Sequence, residues 1–389
     1  MSEKLLNQQL NKIHKLAEEK QKEINHEQFD KYYPIFKLAL NILKKLPVLL
    51  YGGMAINEML PQKLKIYADD ALPDIDVFCK NAENVATKIV KHFKKNGYNV
   101  SSYGDALHEG TFKIYVHGLQ IIDITNVSAS SFKKLSENSI KTNDGVKIVN
   151  PQFIRLSLHM MLSQSNDAHR WSKVFQRLIL FYKIHPPKKC SFTEELELPH
   201  IPVNIINGLY DYIKKTEFVL FGYNELKLFF NNKDIPYNKQ PCIQLLVKED
   251  IYEIATDIIE NIGDEKLKLS KVYEADEFIP KHIFIYYGKT KIMALYIASS
   301  CVSFIKYNGF HYGSIHTVIR MYMLMLFSHY KHFKDDSDNI ECLVNLLAIL
   351  QYKNIGKRSK LFKEFIMECY GIHKGLITLK REKLIRYNK

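Results

Sequence analysis

Two aspartates, Asp74 and Asp76, flank one apolar residue in Pro-Asp-Ile-Asp-Val-Phe-Cys, residues 73–79. In a strand, residues two apart point to the same face. Two carboxylates side by side repel each other unless a cation lies between them. A divalent metal is the natural partner, since Mg²⁺ is usually held by one or two carboxylates together with substrate phosphates. A third acid, Asp123, lies inside the apolar run Ile-Ile-Asp-Ile, residues 121–124. An aspartate there is costly to bury unless it is paired or ligates a metal. The plainer alternative is a strand-end residue satisfied by a nearby lysine. One Asp-x-Asp triplet alone is a weak signal, and most such pairs are solvated. Here the third acid and an upstream glycine pair add to it.

That pair is Gly52-Gly53, which follows the apolar run Val48–Tyr51 and precedes a helical pattern. Glycines between strand and helix let a polyphosphate approach the backbone, and the helix N-terminus offers free N–H groups. Neither a G-x-G-x-x-G fingerprint nor a P-loop lysine signature is present. Three carboxylates and a phosphate-cradling turn fit phosphoryl or nucleotidyl transfer, with two metals about 3.5–4 Å apart. Arg170, Lys173 and Arg177 share one face of a later helix and are candidates to hold a triphosphate or an RNA backbone. Trp171 is expected as a core anchor. His159 is expected as a satisfied, buried histidine, because two-metal chemistry needs no histidine base.

The elements that must position these residues can be read from the pattern. Residues 3–45 have helical periodicity, and Pro47 ends it. Strands are expected at Val48–Tyr51, across Asp74–Cys79, and on either side of a turn at His117-Gly118. A helix is expected from Glu83 to Lys95, ended by Asn96-Gly97. From Pro151 the chain turns helical, and Pro186–Pro202 is the best candidate linker.

The second half resembles the first in order. Residues 48–60 lie over 218–230, the Asp74 strand over the stretch from Cys242, and the hairpin after Thr111 over 284–300. In that alignment Asp74 becomes Cys242, Asp76 becomes Gln244, Asp123 becomes Met293 and Gly53 becomes Tyr223. The copy keeps the fold and loses the acids.

Composition bounds the partners. The 389 residues have a formal net charge of +13, and residues 353–389 hold eleven Lys or Arg against three Glu. This balance favours a polyanion. Lys357, Arg358, Lys360, Lys380, Arg381, Lys383 and Arg386, interleaved with aromatics, suit salt-sensitive, sequence-independent RNA contacts. The six cysteines form no C-x-x-C pair, so a reduced, intracellular protein is expected. The polar N-terminus reads as no signal peptide, and no apolar stretch is long enough for a membrane span.

The order Gly-Gly, short helix, Asp-x-Asp and later single Asp resembles the polymerase-beta-like nucleotidyltransferase superfamily. More closely, the motifs at 51–57, 72–78, 110–115 and 121–126 are similar to the catalytic poly(A) polymerases of large cytoplasmic DNA viruses, giant viruses related to mimivirus included. The resemblance implies an α/β (α+β) fold. It places a helical segment at 1–45, a catalytic nucleotidyltransferase domain at 46–186, and a degenerate copy with a basic C-terminal segment at 187–389. It implies that Asp74, Asp76 and Asp123 are the catalytic, metal-binding triad, that Gly52 and Gly53 meet the triphosphate, and that two Mg²⁺ or Mn²⁺ ions assist. The implied reaction transfers AMP from ATP to an RNA 3′-hydroxyl and releases pyrophosphate. The implied setting is the host cytoplasm and its viral factory, with packaging in the virion open. A homodimer and a separate processivity subunit both occur among such relatives, and both stay open. One departure is the insert at 63–73, which brings Pro73 before the acid pair and carries Asp69 and Asp70, read as a solvated turn.

Other classes were weighed. A non-catalytic RNA-binding or processivity protein on the same fold would suit the second half, but the intact acids of the first half argue against it. A nucleotidyltransferase acting on a small molecule is disfavoured by the basic charge. A glycosyltransferase would leave the glycine turn and Asp123 without a role.

Overall fold

The computed structural model describes residues 29–68, 71–104, 110–190, 201–230 and 243–372, together with scattered positions before 29. Asp69, Asp70, Cys242 and the basic residues from Lys380 onward lie outside the described residues, as does most of the helix expected before residue 29. Packing divides the chain into two units. Among the described residues, the first takes those up to Val127 and Ser136–Asn150, and the second takes Ser128–Leu135 and those from Pro151 onward.

In the first unit a helix over 29–43 (α1) buries Ile35, Ala39 and Leu43 at helical spacing. Then come β1 (Leu49–Tyr51), α2 (Gly52–Met59), β2 (Ile75–Cys79), α3 (Ala82–Lys95), β3 (Val100–Tyr103), β4 (Thr111–Val116) and β5 (Leu119–Asn126). Helix α4 (Ala129–Ser136) precedes two short strands, β6 (Ile140–Lys141) and β7 (Lys147–Ile148). The sheet order is β3-β4-β5-β2-β1-β7-β6. Asn81 caps α3 by accepting from the Asn84 N–H at 2.9 Å. Its apolar stripe Val85, Ile89 and Phe93 is buried, while Lys88, Lys91, Lys94 and Lys95 stay in water. Gly97, at φ +82°, takes the left-handed conformation after the helix end, which only glycine adopts freely.

The second unit takes in nearly all of α4 and continues with α5 (Pro151–Leu162) and α6 (Trp171–Ile184), two helices that precede the expected linker. It continues with α7 (Val203–Lys214), β8 (Val219–Leu220), α8 (Tyr223–Phe229), β9 (Ile243–Val247), α9 (Ile251–Ile262) and β10 (Leu267–Leu269). Next are β11 (His282–Tyr287), β12 (Thr290–Ile297), β13 (Val302–Tyr307) and β14 (Phe310–Gly313). Helices α10 (Ile315–Phe327), α11 (Lys331–Lys334) and α12 (Ser337–Asn354) precede β15 (Cys369–Tyr370). The apolar run in α10 is buried on nearly every side. Among the described residues no helix is long and apolar enough to cross a membrane.

The second sheet runs β10-β11-β12-β9-β8-β14-β13-β15. Without β15, this repeats the first sheet strand for strand. The β1–β2 and β8–β9 pairs are both antiparallel. The β2–β5 and β9–β12 pairs are both parallel, as are β1–β7 and β8–β14. Even the irregularity recurs, since the β4–β5 register shifts after Ile114 and the β11–β12 register after Ile285. The duplication read from sequence is therefore present in the topology. One assignment needs correction. Asp76 faces Asp123 across β2–β5, whereas Gln244 faces Ala294 across β9–β12. The counterpart of Asp123 is Ala294, not Met293. Met293 faces Ile243 and is fully buried, as Ile122 is opposite Ile75. Offset by the same 171 residues, Lys113 meets Phe284 and Asp123 meets Ala294, so the reading that gave Met293 was out of step by one residue.

The cysteines also depart from expectation. Cys190 bonds Cys342, and Cys301 bonds Cys369, with Cα–Cα distances of 5.6 and 5.4 Å. The partners are 152 and 68 residues apart, so no spacing motif announces them. Cys79 is free and buried.

The second unit has a polar core. His159 Nδ1 meets His316 Nδ1 at 3.0 Å, and its Nε2 meets the Tyr182 hydroxyl at 2.7 Å. Gln351 Nε2 lies 3.3 Å from the His316 ring nitrogens, and Arg155 donates to Asn345 Oδ1 at 3.0 Å. His159 is thus the satisfied buried histidine expected. Trp171 is likewise buried, stacks on Phe365 and donates to the Met161 carbonyl at 2.9 Å.

Two outcomes are expected. Ile122→Ala, at a fully buried position on the core face of β5, should lower unfolding stability by about 2–5 kcal/mol in urea titration. The second concerns pH. Burial lowers the His316 pKa to about 3, and lowers His282 and His332 to about 4. The unfolded chain binds these protons near pH 6.5, and the folded chain does not. Stability is then full above about pH 6.5 and falls as the pH drops towards 4. The urea midpoint at pH 5 should lie below that at pH 7.5, and an unchanged midpoint would exclude neutral buried imidazoles.

Candidate active site

Register builds the site. Tyr51 faces Asp76 across β1–β2, Asp76 faces Asp123 across β2–β5, and Asp123 faces Lys113 across β4–β5. Residues paired in register share a face. The sheet therefore carries a transverse row, Lys113–Asp123–Asp76–Tyr51. The adjoining row, Ile114–Ile122–Ile75, points the other way and is fully buried.

Neighbouring strands lie about 4.8 Å apart, so Asp76 and Asp123 are close like charges. At about 5 Å and an effective dielectric constant of about 20, their repulsion is on the order of 3 kcal/mol. Part of the compensation is visible. Lys113 Nζ donates to Asp123 Oδ2 at 2.6 Å, and Gln120 Nε2 donates to Oδ1 at 2.8 Å. Both carboxylate oxygens of Asp123 are thus engaged. Asp74 immediately precedes β2 and is exposed. As the side chains stand, no group of three His, Cys, Asp or Glu among the described residues is gathered tightly enough to hold a metal. The structure brings together Asp76 and Asp123 of the three expected acids, with Asp74 two residues before Asp76 at the strand mouth.

Gly52 explains its own conservation of space. It has φ +72°, and a Cβ built there would stand 2.5 Å from Asp76 Oδ2. Both the backbone and the carboxylate exclude any larger residue. Helix α2 begins here, and Tyr51 at its N-cap supplies no side-chain cap. The arrangement suits an anion beside Asp76. The space at Gly52, with two hard oxygen donors in register, fits a divalent cation with phosphate ligands. Burial and the adjacent Asp76 carboxylate raise the Tyr51 hydroxyl pKa, so it stays protonated against Thr125 Oγ1 at 3.1 Å. Tyr51 also stacks on Phe78, with centroids 3.8 Å apart.

The insert is tied to α2. Asn57 Oδ1 accepts from the Ile66 and Tyr67 N–H groups at 2.9 and 3.3 Å, and Lys65 donates to the Asn57 carbonyl at 2.6 Å. Lys173 and Arg177 lie on α6 in the second unit, Lys173 exposed and Arg177 buried. Arg170 ends the preceding 3₁₀ turn and is not on that helix. Sequence reasoning missed Lys113 and Gln120. Their only signal was a lysine and a glutamine near Asp123 on a hairpin.

Residues 40–168 match the family profile "Poly(A) polymerase catalytic subunit". This span is similar to poly(A) polymerase catalytic subunits. It contains the whole Lys113–Tyr51 row and the glycine turn. Over 176 residues the chain is 30% identical to an Acanthamoeba polyphaga mimivirus protein assigned as a poly(A) polymerase catalytic subunit. That match takes in 43% of this chain and 29% of the mimivirus protein, less than a third of its length. The crystal structure of the Megavirus polyadenylate synthase superposes with a TM-score of 0.80 at 18% identity, over 98% of this chain and 83% of that one. The poly(A) polymerase-like fold thus extends through both sheets.

Gly52→Ala should destabilise the first unit by about 1–2 kcal/mol from the left-handed backbone alone. The clash with Asp76 adds to this, and thermal melting beside a Gly97→Ala control, where a Cβ meets nothing within 4 Å, separates the two effects.

Proposed function

We propose that the chain is a polynucleotide adenylyltransferase that extends RNA 3′ ends with AMP from ATP. The observation that carries this reading is the in-register pair Asp76–Asp123 beside the Gly52 turn, within the span matching the catalytic-subunit family. Asp74, Asp76 and Asp123 would hold Mg²⁺ or Mn²⁺. Such ions would neutralise the triphosphate and favour ionisation of the attacking RNA hydroxyl. The residues of the chain have separate tasks. The N-terminal amides of α2, which the Tyr51 side chain does not cap, would receive the phosphates, and Gly52 keeps that turn close to Asp76. Asn57 fixes the insert against α2, which holds the turn in place. Lys173 is exposed and Arg177 buried, so Lys173 is the better suited of the two to meet an RNA backbone. The net charge of +13 supports a polyanionic acceptor over a small neutral one. The viral origin of both relatives supports a host-cytoplasmic setting. A homodimer remains part of the proposal, resting on resemblance alone.

A labelled RNA primer incubated with each NTP and Mg²⁺ or Mn²⁺ tests the reading. A ladder with ATP is expected, and Asp74→Ala/Asp76→Ala should reduce it by at least about 10³-fold. Absence of extension by folded wild-type protein with every nucleotide and metal would leave an RNA-binding protein instead.

A further inference from the structure

Lys113 holds the carboxylate that the proposed metal site needs. Its ammonium lies 2.6 Å from Asp123 Oδ2, the pair is more than two-thirds buried on both sides (28% and 18% exposed), and Gln120 takes the other oxygen. An ordinary structural ion pair would serve the strand pairing of β4 and β5. The duplicated sheet shows that this pairing does not require it. There β11 and β12 keep the same register and the same irregularity. Phe284 stands at the position of Lys113, Ala294 at that of Asp123, Lys291 at that of Gln120 and Gln244 at that of Asp76. The hairpin is intact without the ion pair, and Lys291 lies over the Phe284 ring at 4.7 Å. The lysine is absent where both acids are absent. Its presence in the first sheet follows the carboxylates, not the fold.

We propose that Lys113 is a resident counter-ion that occupies Asp123 until a divalent cation takes its place. This rests on the reading of Asp76 and Asp123 as metal-binding residues. Two carboxylates on adjacent strands need positive charge to coexist in a half-buried site. Lys113 supplies it from within the chain, which keeps the sheet folded without metal. The same contact makes the ion compete with an ammonium for Asp123. Metal loading then requires the Lys113 side chain to swing off Asp123, which its flexible four-carbon stem allows. No bond is made or broken. The consequence is a site that stays closed to weakly held cations and opens when metal arrives with a polyphosphate to share the cost. Lys113 is in this sense a positioning residue, acting through Asp123.

The test is Mn²⁺ binding to the full chain, read by the loss of the free-Mn²⁺ EPR signal without nucleotide. The variants are Lys113→Met, Asp123→Asn and the double variant, and melting temperatures with and without Mn²⁺ give a second readout. An opposite charge within hydrogen-bond reach changes a carboxylate's affinity for a proton by about 10- to 1,000-fold, so Lys113→Met should bind Mn²⁺ at least ~10-fold more tightly than wild type. It should melt lower than wild type without metal and gain more from Mn²⁺. Neither gain should survive in the Asp123→Asn background. Unchanged or weaker binding by Lys113→Met overturns the proposal, as does an equal gain in the Asp123→Asn background. If wild type and Asp123→Asn bind Mn²⁺ alike, the metal-site reading itself fails. If Lys113→Met does not fold, Lys113→Gln replaces it. Recovery of either by Mn²⁺ supports the counter-ion role, and failure of both to fold with Mn²⁺ shows a purely structural lysine.

Discussion

Everything at the site depends on the strand register that sets two carboxylates next to each other. Asp76 and Asp123 come from β2 and β5, strands separated in sequence by a helix and a hairpin. Their parallel pairing places them on one face, opposite a fully buried row of isoleucines. A slip of one residue would turn both acids into the core and the isoleucines into water. The apolar row thus fixes the acids. Hydrophobic burial of Ile75, Ile114 and Ile122 is the force that keeps two mutually repelling charges in place.

The rest of the first unit can be read as accommodation of that repulsion. Lys113 and Gln120 hold Asp123. Gly52 leaves room beside Asp76 that no other residue could leave. The irregularity between Ile114 and Tyr115 matters here as well. A regular two-residue hairpin from the Val116–Leu119 pair would set Lys113 opposite Ile122. The extra residue, Ile121, shifts the partner to Asp123. One bulge decides whether the lysine meets the acid.

The second unit is an internal control for this argument. It repeats the strand order and the pairing directions, and it keeps the bulge. Its row reads Phe284–Ala294–Gln244, with Phe221 bonded to Gln244 through the backbone at 3.0 Å. Gly222, in the place of Gly52, has φ −80° and no longer adopts the left-handed conformation. The chemistry and its supports disappear as a group, while the hydrophobic layer beneath them persists.

Several features were legible in the sequence because they are local or periodic. The i, i+2 spacing of Asp74 and Asp76, the Gly52-Gly53 turn, the amphipathic stripe of α3 and the order of the repeat all follow from short-range patterns. The span that matches the family profile, residues 40–168, contains both acid motifs and the glycine turn. Other features depend on which distant residues meet. The pairing of Asp123 with Lys113 needed a bulge that no residue type announces, and the true counterpart of Asp123 needed the register of β12. The two disulfides join residues 152 and 68 apart, so composition pointed to reduced thiols. Sequence alone determined which reactive groups this chain carries, because those groups and their immediate spacing are written in the residues. Tertiary structure alone decided how the charges are balanced, because balance depends on neighbours that only strand register brings together.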